Sequence, residues 1–238
     1  MIKLWNSFVG NAGFVGVCLG IIAGLFLLAK LSERYFCKPR RISSTRRITI
    51  ISICAALAAV LQLFEFPLPF LAPDFYKLDF SELPVMLCGF YLGPSAAVAC
   101  EGLKVLLKLL MKGTSTSFVG DFANFAVGCM MVLPAVMIYH FKGKSKKSAV
   151  WGLIAGTVSM TVLGSAFNAL YLLPKFADML LPMEAIIGLG KAIHPAIDSV
   201  WSLVLMCVVP LNLIKGIAIS VLTLLLYKRV ARPLFGKE

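Results

Sequence analysis

"PLNLIKGIAISVLTLLLYKRVA", residues 210–231, decides the fold class. A helix of about 20 apolar residues, rising 1.5 Å per residue, crosses the roughly 30 Å of hydrocarbon in a bilayer. This stretch is long and apolar enough to do so. Lys228 and Arg229 close it with the basic residues that anchor a span at a membrane face. Asn212 and Lys215 interrupt it near its start. Ionisable groups inside a span are costly, and they are functional candidates by default.

The rest of the chain reads in the same way. Of its 238 residues, 60% are hydrophobic and only 14% are charged, and the mean hydropathy is +0.91. A soluble domain has about 25% charged residues, so this is an all-α integral membrane protein. The net charge of +12 falls into clusters that flank apolar segments: Lys30 to Arg47, Lys142 to Lys147, and Lys228 onward. That is the pattern of positive-inside anchors, and it argues against nucleic acid as a partner. The seven cysteines are scattered, with no C-x-x-C pair. They read as small buried hydrophobes rather than a zinc site or a disulfide framework.

Residues 8–29, "FVGNAGFVGVCLGIIAGLFLLA", form a first span, retained as an anchor, because a basic block follows them directly. Residues 48–64 span next, and "EFPLPFLAPDFYKLDF", 65–80, is a Pro- and aromatic-rich loop. Residues 81–92 make a short helix that Gly93-Pro94 ends, and 95–112 make another. Residues 121–141 and 148–173 span in turn. Pro174 opens a long connection to Val209, with short helical patterns at 182–193 and 197–208, before the final span. The organisation expected is an extra anchor over 1–30, a basic cytoplasmic linker over 31–47, a six-helix membrane domain over 48–231 and a cytoplasmic tail over 232–238. With the basic blocks inside, the amino terminus lies outside and the carboxy terminus inside.

Counting from the outer helix ends gives the polar residues a common depth. Asn212 and Lys215 lie about 3 and 8 Å inside, Asn168 about 9 Å, and Asn124 stands close behind Asp121 at the start of its helix. Asn212 and Lys215, three residues apart, share one helix face. A pocket open to the outside has this arrangement. The competing readings are inter-helix packing bonds for the amides and snorkelling for the lysine. Glu101, Lys104 and Lys108 form a second polar stripe, with Glu101 and Lys104 placed to pair. Ala55 and Ala59 in "AALAAV" make a small-x-x-x-small face that admits close helix approach. His140 and His194 stand singly near helix ends and read as structural. There is no phosphate loop, H-E-x-x-H or G-x-S-x-G motif, which weakens an enzyme reading.

Four stretches together resemble a known family: "FPLPFLAPDFYKLDFSELPVMLCGFYLGP", "GTSTSFVGDFANFAVG", "NALYLLP" and "VVPLNLIKG". They are similar to the riboflavin-specific S-component of energy-coupling factor (ECF) transporters, over residues ~47–231. The K-x-D-x-S-x-x-P run from Lys77 to Pro84 and the Asn212-x-x-Lys215 pair are its most specific marks. The amino-terminal span is a departure from the six-helix family core. The resemblance implies riboflavin as the transported ligand, captured from outside a bacterial plasma membrane, with no cofactor. It implies docking on a transmembrane coupling subunit that carries two ABC-type ATPases, with delivery by tilting in the bilayer. By the same resemblance Asn168, Asn212 and Lys215 contact the flavin, and Asn124 with Lys77, Leu78 and Asp79 completes or covers the pocket. Ala55 and Ala59 then correspond to the docking surface. The alternatives are the same architecture for another vitamin, a membrane enzyme acting through Glu101, or a structural scaffold.

Overall fold

A computed structural model describes residues 12–36, 42–116 and 118–235. The start of the expected first span (8–11), the basic residues Lys38, Arg40 and Arg41, and the end of the tail (236–238) lie outside the described residues. The helices are α1 (Ala12–Tyr35), α2 (Ser44–Leu63), α3 (Glu82–Leu92), α4 (Pro94–Lys112), α5 (Val119–Phe141), α6 (Lys146–Met179), α7 (Met183–Ile193) and α8. The last begins with Val200–Leu203 and runs through Val204–Val208 into Val209–Phe235. Among the described residues, α1, α2, α5, α6 and α8 are long and apolar enough to cross a membrane. α4 is nearly as long but carries Glu101, Lys104, Lys108 and Lys112.

The bundle is built around α3. Every residue of this 11-residue helix is buried. It packs on α2, α4, α5 and α8, as a helix apolar on all sides must. At about 16 Å it is too short to cross the hydrocarbon alone, and its neighbours cover it instead. Gly93 ends it at φ 112°, a conformation that suits glycine. Pro94 then opens α4, where its missing N–H costs nothing. α5 and α6 press together at Gly152 and Gly156 of α6: a Cβ at Gly152 would stand 2.5 Å from the Ala135 carbonyl oxygen. Small residues four apart give that close approach.

α6 and α8 depart from the sequence reading. Pro174 and Pro210 were expected to bound the spans, and neither does. α6 continues to Met179 and α8 starts at Val200. A π-helical turn lies just before each proline, Asn168–Leu172 before Pro174 and Val204–Val208 before Pro210. The extra residue in such a turn re-registers the backbone bonds around the proline, so the helix passes through instead of stopping. Ser199 supplies the true start of α8, in a capping box with Ser202. The pattern expected over 197–208 is therefore the first part of α8, while that over 182–193 is α7.

The expected loop 65–80 holds a small antiparallel ladder, Phe66–Pro67 (β1) with Lys77–Leu78 (β2), pairing Phe66 with Leu78. α1 packs on α4 and α5. Near its start Phe14 meets Phe122 edge-on at 6.0 Å. At its other end the Glu33 carboxylate accepts from both Ser95 N–H and Ser95 Oγ at 2.8 Å. Glu33 thereby satisfies one of the amides left without an intrahelical partner at the start of α4, from a different helix. Arg47 of α2 donates to the same Ser95 hydroxyl at 2.7 Å.

Candidate functional site

A cavity of about 620 Å³ opens between the 65–80 loop and helices α4, α5, α6 and α8. Small-molecule sites occupy about 300–1,000 Å³. Asn168, Asn212, Lys215, Asn124, Lys77 and Asp79 all line it. Leu78 does not; it is buried and pairs with Phe66 in the ladder. The depths differ from the sequence count because the helices are longer. Asn212 is 12 residues and Asn168 11 residues from the cavity-side ends of their helices, which puts them about 16–18 Å along each axis. Both line the cavity because their helices rise past it. The π-helical turn that accommodates Pro174 begins at Asn168 itself.

Each side chain has a defined partner. Asn168 Oδ1 accepts from Tyr76 Oη at 2.6 Å. Asn212 Nδ2 donates to Ser165 Oγ at 3.2 Å. Asn124 Nδ2 stands 3.5 Å from Asp79 Oδ2. Lys215 does not snorkel. Its side chain is 11% exposed, and its Nζ donates to Asp79 Oδ2 at 3.0 Å and to Glu82 Oε1 at 2.9 Å. Asp79 also accepts from Ser81 N–H at 2.8 Å. Burial alone would raise the Asp79 carboxyl. The ammonium groups of Lys215 and Lys104, with the Ser81 hydrogen bonds, outweigh it and hold it at about 2.

The loop forms the cavity's outer wall. Phe75 stacks on Phe176 of α6 at 5.0 Å and lies 4.6 Å from the Tyr76 ring. At the rim Glu65 accepts from Lys77 at 3.0 Å and from Lys112 at 2.8 Å. Burial would raise this carboxyl too, but the two lysines keep it below the usual range.

Four cavity-lining residues carry a buried acceptor that has no donor among the described residues: Gln62 Oε1, Glu82 Oε2, Asn124 Oδ1 and Asp121 Oδ2. Buried polar atoms are ordinarily paired.

Sequence reasoning missed Glu82, Tyr76, Phe75 and Gln62. Glu82 was within reach, as the acid at the start of the helix that the K-x-D-x-S-x-x-P run leads into. The Glu101–Lys104 pair expected from the stripe is present, but Lys104 also reaches Glu82 at 3.5 Å. Lys108 leaves the stripe to donate to Asp121 of α5 at 2.5 Å. His140 is structural, with Nε2 3.0 Å from the Gly89 carbonyl oxygen.

The alanine face needs correction. Ala55 and Ala59 are both 0% exposed, turned into the bundle where α2 packs on α3 and α4. No partner can touch them directly. The exposed face of α2 carries Ser52, Ile53, Ala56, Leu57 and Val60. Its small pair is Ser52 and Ala56, one helical step from the pair expected.

The chain is similar to known proteins over most of its length. Residues 46–227 match the family model described as "ECF transporter, substrate-specific component". The riboflavin transporter RibU of Staphylococcus aureus (strain TCH60) is 37% identical over 186 residues, covering 78% of this chain and 90% of that protein. The riboflavin transporter FmnP of Bacillus subtilis (strain 168) is 32% identical over 186 residues, 76% and 90% of the two chains. A solved S component of a bacterial ECF transporter superposes with a TM-score of 0.61 at 36% identity, covering 79% of this chain and 97% of that one. α1 lies before the matched region. The chain belongs to the substrate-specific components of ECF transporters.

Proposed function

We propose that this chain captures riboflavin as the binding subunit of an ECF importer. One observation carries the reading: a cavity of about 620 Å³, walled by amides and a lysine, in a chain 37% identical to a riboflavin transporter. Riboflavin suits such walls. Its isoalloxazine ring has a pyrimidine edge with two carbonyls and one N–H, which an Asn amide complements with its donor and acceptor. Its ribityl hydroxyls suit the polar side chains of Asp79, Asn124 and Lys215 on the cavity lining. Its dimethylbenzene end suits the aromatic wall of Phe75 and Phe176. In such a site a poorly matched ligand leaves buried groups unpaired, which gives strong discrimination.

In this reading the cavity opens on the outer side of the membrane, with the carboxy terminus in the cytoplasm and the amino terminus outside; the distribution of the basic clusters supports it. Uptake then requires a partner: a transmembrane coupling subunit with two ATPases that hydrolyse ATP. The exposed α2 face, with Ser52 and Ala56 at its centre, is the surface for that partner, since small residues permit close helix contact.

Flavin fluorescence tests the binding reading. Riboflavin titrated with the purified protein is quenched and saturates at one ligand per chain. Absence of saturable quenching by folded protein would overturn it.

A further inference from the structure

From the cavity wall inward, five charged side chains alternate in sign: Asp79, Lys215, Glu82, Lys104 and Glu101. Lys215 bridges Asp79 and Glu82 at 3.0 and 2.9 Å. Lys104 stands 3.5 Å from the same Glu82 oxygen and pairs with Glu101. Lys104 and Glu101 are each 0% exposed. The first three line the cavity, and the last two stand behind it.

Lys104 reaches both carboxylates that hold Lys215. It pairs with Glu82 directly. It reaches Asp79 through Ser81, donating to Ser81 Oγ at 3.0 Å, while Ser81 N–H holds Asp79 Oδ1 at 2.8 Å. Glu101 neutralises Lys104 from the far side. It has room because α5 carries Gly128 there: a Cβ at that position would collide with the Glu101 carboxylate. Two of the three Lys215 protons are committed to carboxylates, so one is left for a ligand, and its direction is set by where Asp79 and Glu82 stand.

We propose that Lys104 is a positioning residue for ligand binding: with Glu101 behind it, it fixes Glu82 and Ser81–Asp79, and through them aims the free N–H of Lys215 into the cavity. This rests on the riboflavin reading above. A buried ion pair could instead serve only to hold α3 and α4 together, and the two roles separate in a double-mutant cycle.

Riboflavin dissociation constants are measured by fluorescence quenching for wild type, Lys104→Met, Lys215→Gln and the double variant, with thermal unfolding of each. A positioning role weakens binding by about tenfold or more when Lys104→Met is made in wild type. The same change made in Lys215→Gln costs less than about twofold, the scatter of independent effects. An equal loss in both backgrounds, or no loss in wild type, overturns the proposal. If Lys104→Met does not accumulate as folded protein, Glu101→Gln, which removes the counter-ion behind Lys104 without touching the cavity, takes its place in the cycle under the same two criteria. Wild type that binds no riboflavin sinks the functional reading. Wild type that binds, with losses that simply add, sinks only the positioning role.

Discussion

Replacing Lys215 with Met tests the electrostatics of the site through stability, independently of any ligand. Methionine keeps much of the apolar stem and removes the ammonium. Two carboxyl groups, each 2% exposed, then lose a donor at 3.0 and 2.9 Å. Breaking one partner out of a buried pair costs about 3–5 kcal/mol. Lys104 and Ser81 remain beside them, which places the expected loss toward the lower end of that range. The pH dependence carries the sharper test. In wild type Asp79 titrates at about 2, below its ordinary 3.8. Its contribution is therefore complete above about pH 4 and is lost as pH falls toward 2. A shift of this size corresponds to about 2–3 kcal/mol. Without Lys215 only Lys104 and the Ser81 hydrogen bonds oppose the burial that raises this carboxyl, so it moves up from about 2. The variant then lacks part of the stability that wild type holds above about pH 4 and loses as pH falls toward 2. Thermal unfolding in detergent, read from about pH 7 down to about pH 2, should show Lys215→Met closing on wild type as pH falls below about 4. A loss that stays constant over that range, or no loss at all, would refute the pairing of Lys215 with Asp79.

Other expectations follow from the fold. Glu33→Gln weakens the two bonds to Ser95 and should lower stability by about 1–3 kcal/mol, seen as a lower unfolding temperature. Flavin affinity should not change, because Ser95 lies at the opposite end of α4 from Lys108, which lines the cavity. Ala56→Trp should abolish uptake in whole cells while purified protein still binds flavin. Ala55→Trp, at a site with 0% exposure, should instead cost stability by about 1–3 kcal/mol or more through overpacking. Equal behaviour of the two variants would count against the exposed face of α2 as the docking surface.

Much of this arrangement was legible in the sequence because membrane helices have few ways to hide polar groups. The amides and Lys215 stood out against apolar surroundings, and six of the seven expected pocket residues line the cavity. The misread parts have physical causes. Pro174 and Pro210 looked like helix ends because proline removes a backbone bond. The π-helical turns that restore the register leave no periodic signature. Ser199, three residues before Ser202, was the available signal for the start of α8. The alanines in "AALAAV" could not be assigned a face, since an alanine is equally at home in a core and in contact with lipid. The link from Lys104 to Lys215 joins residues 111 positions apart through Glu82, and local spacing does not reach that far.

The central claim is that riboflavin binds in the cavity that Asn168 of α6 and Asn212 of α8 both line. Isothermal titration of riboflavin into purified wild type, Asn168→Leu and Asn212→Leu tests it most directly. The account predicts one riboflavin per wild-type chain, and affinity reduced by about 1–3 kcal/mol in each variant while unfolding remains cooperative. Wild-type affinity in both leucine variants, or no heat of binding from the wild type, would contradict it.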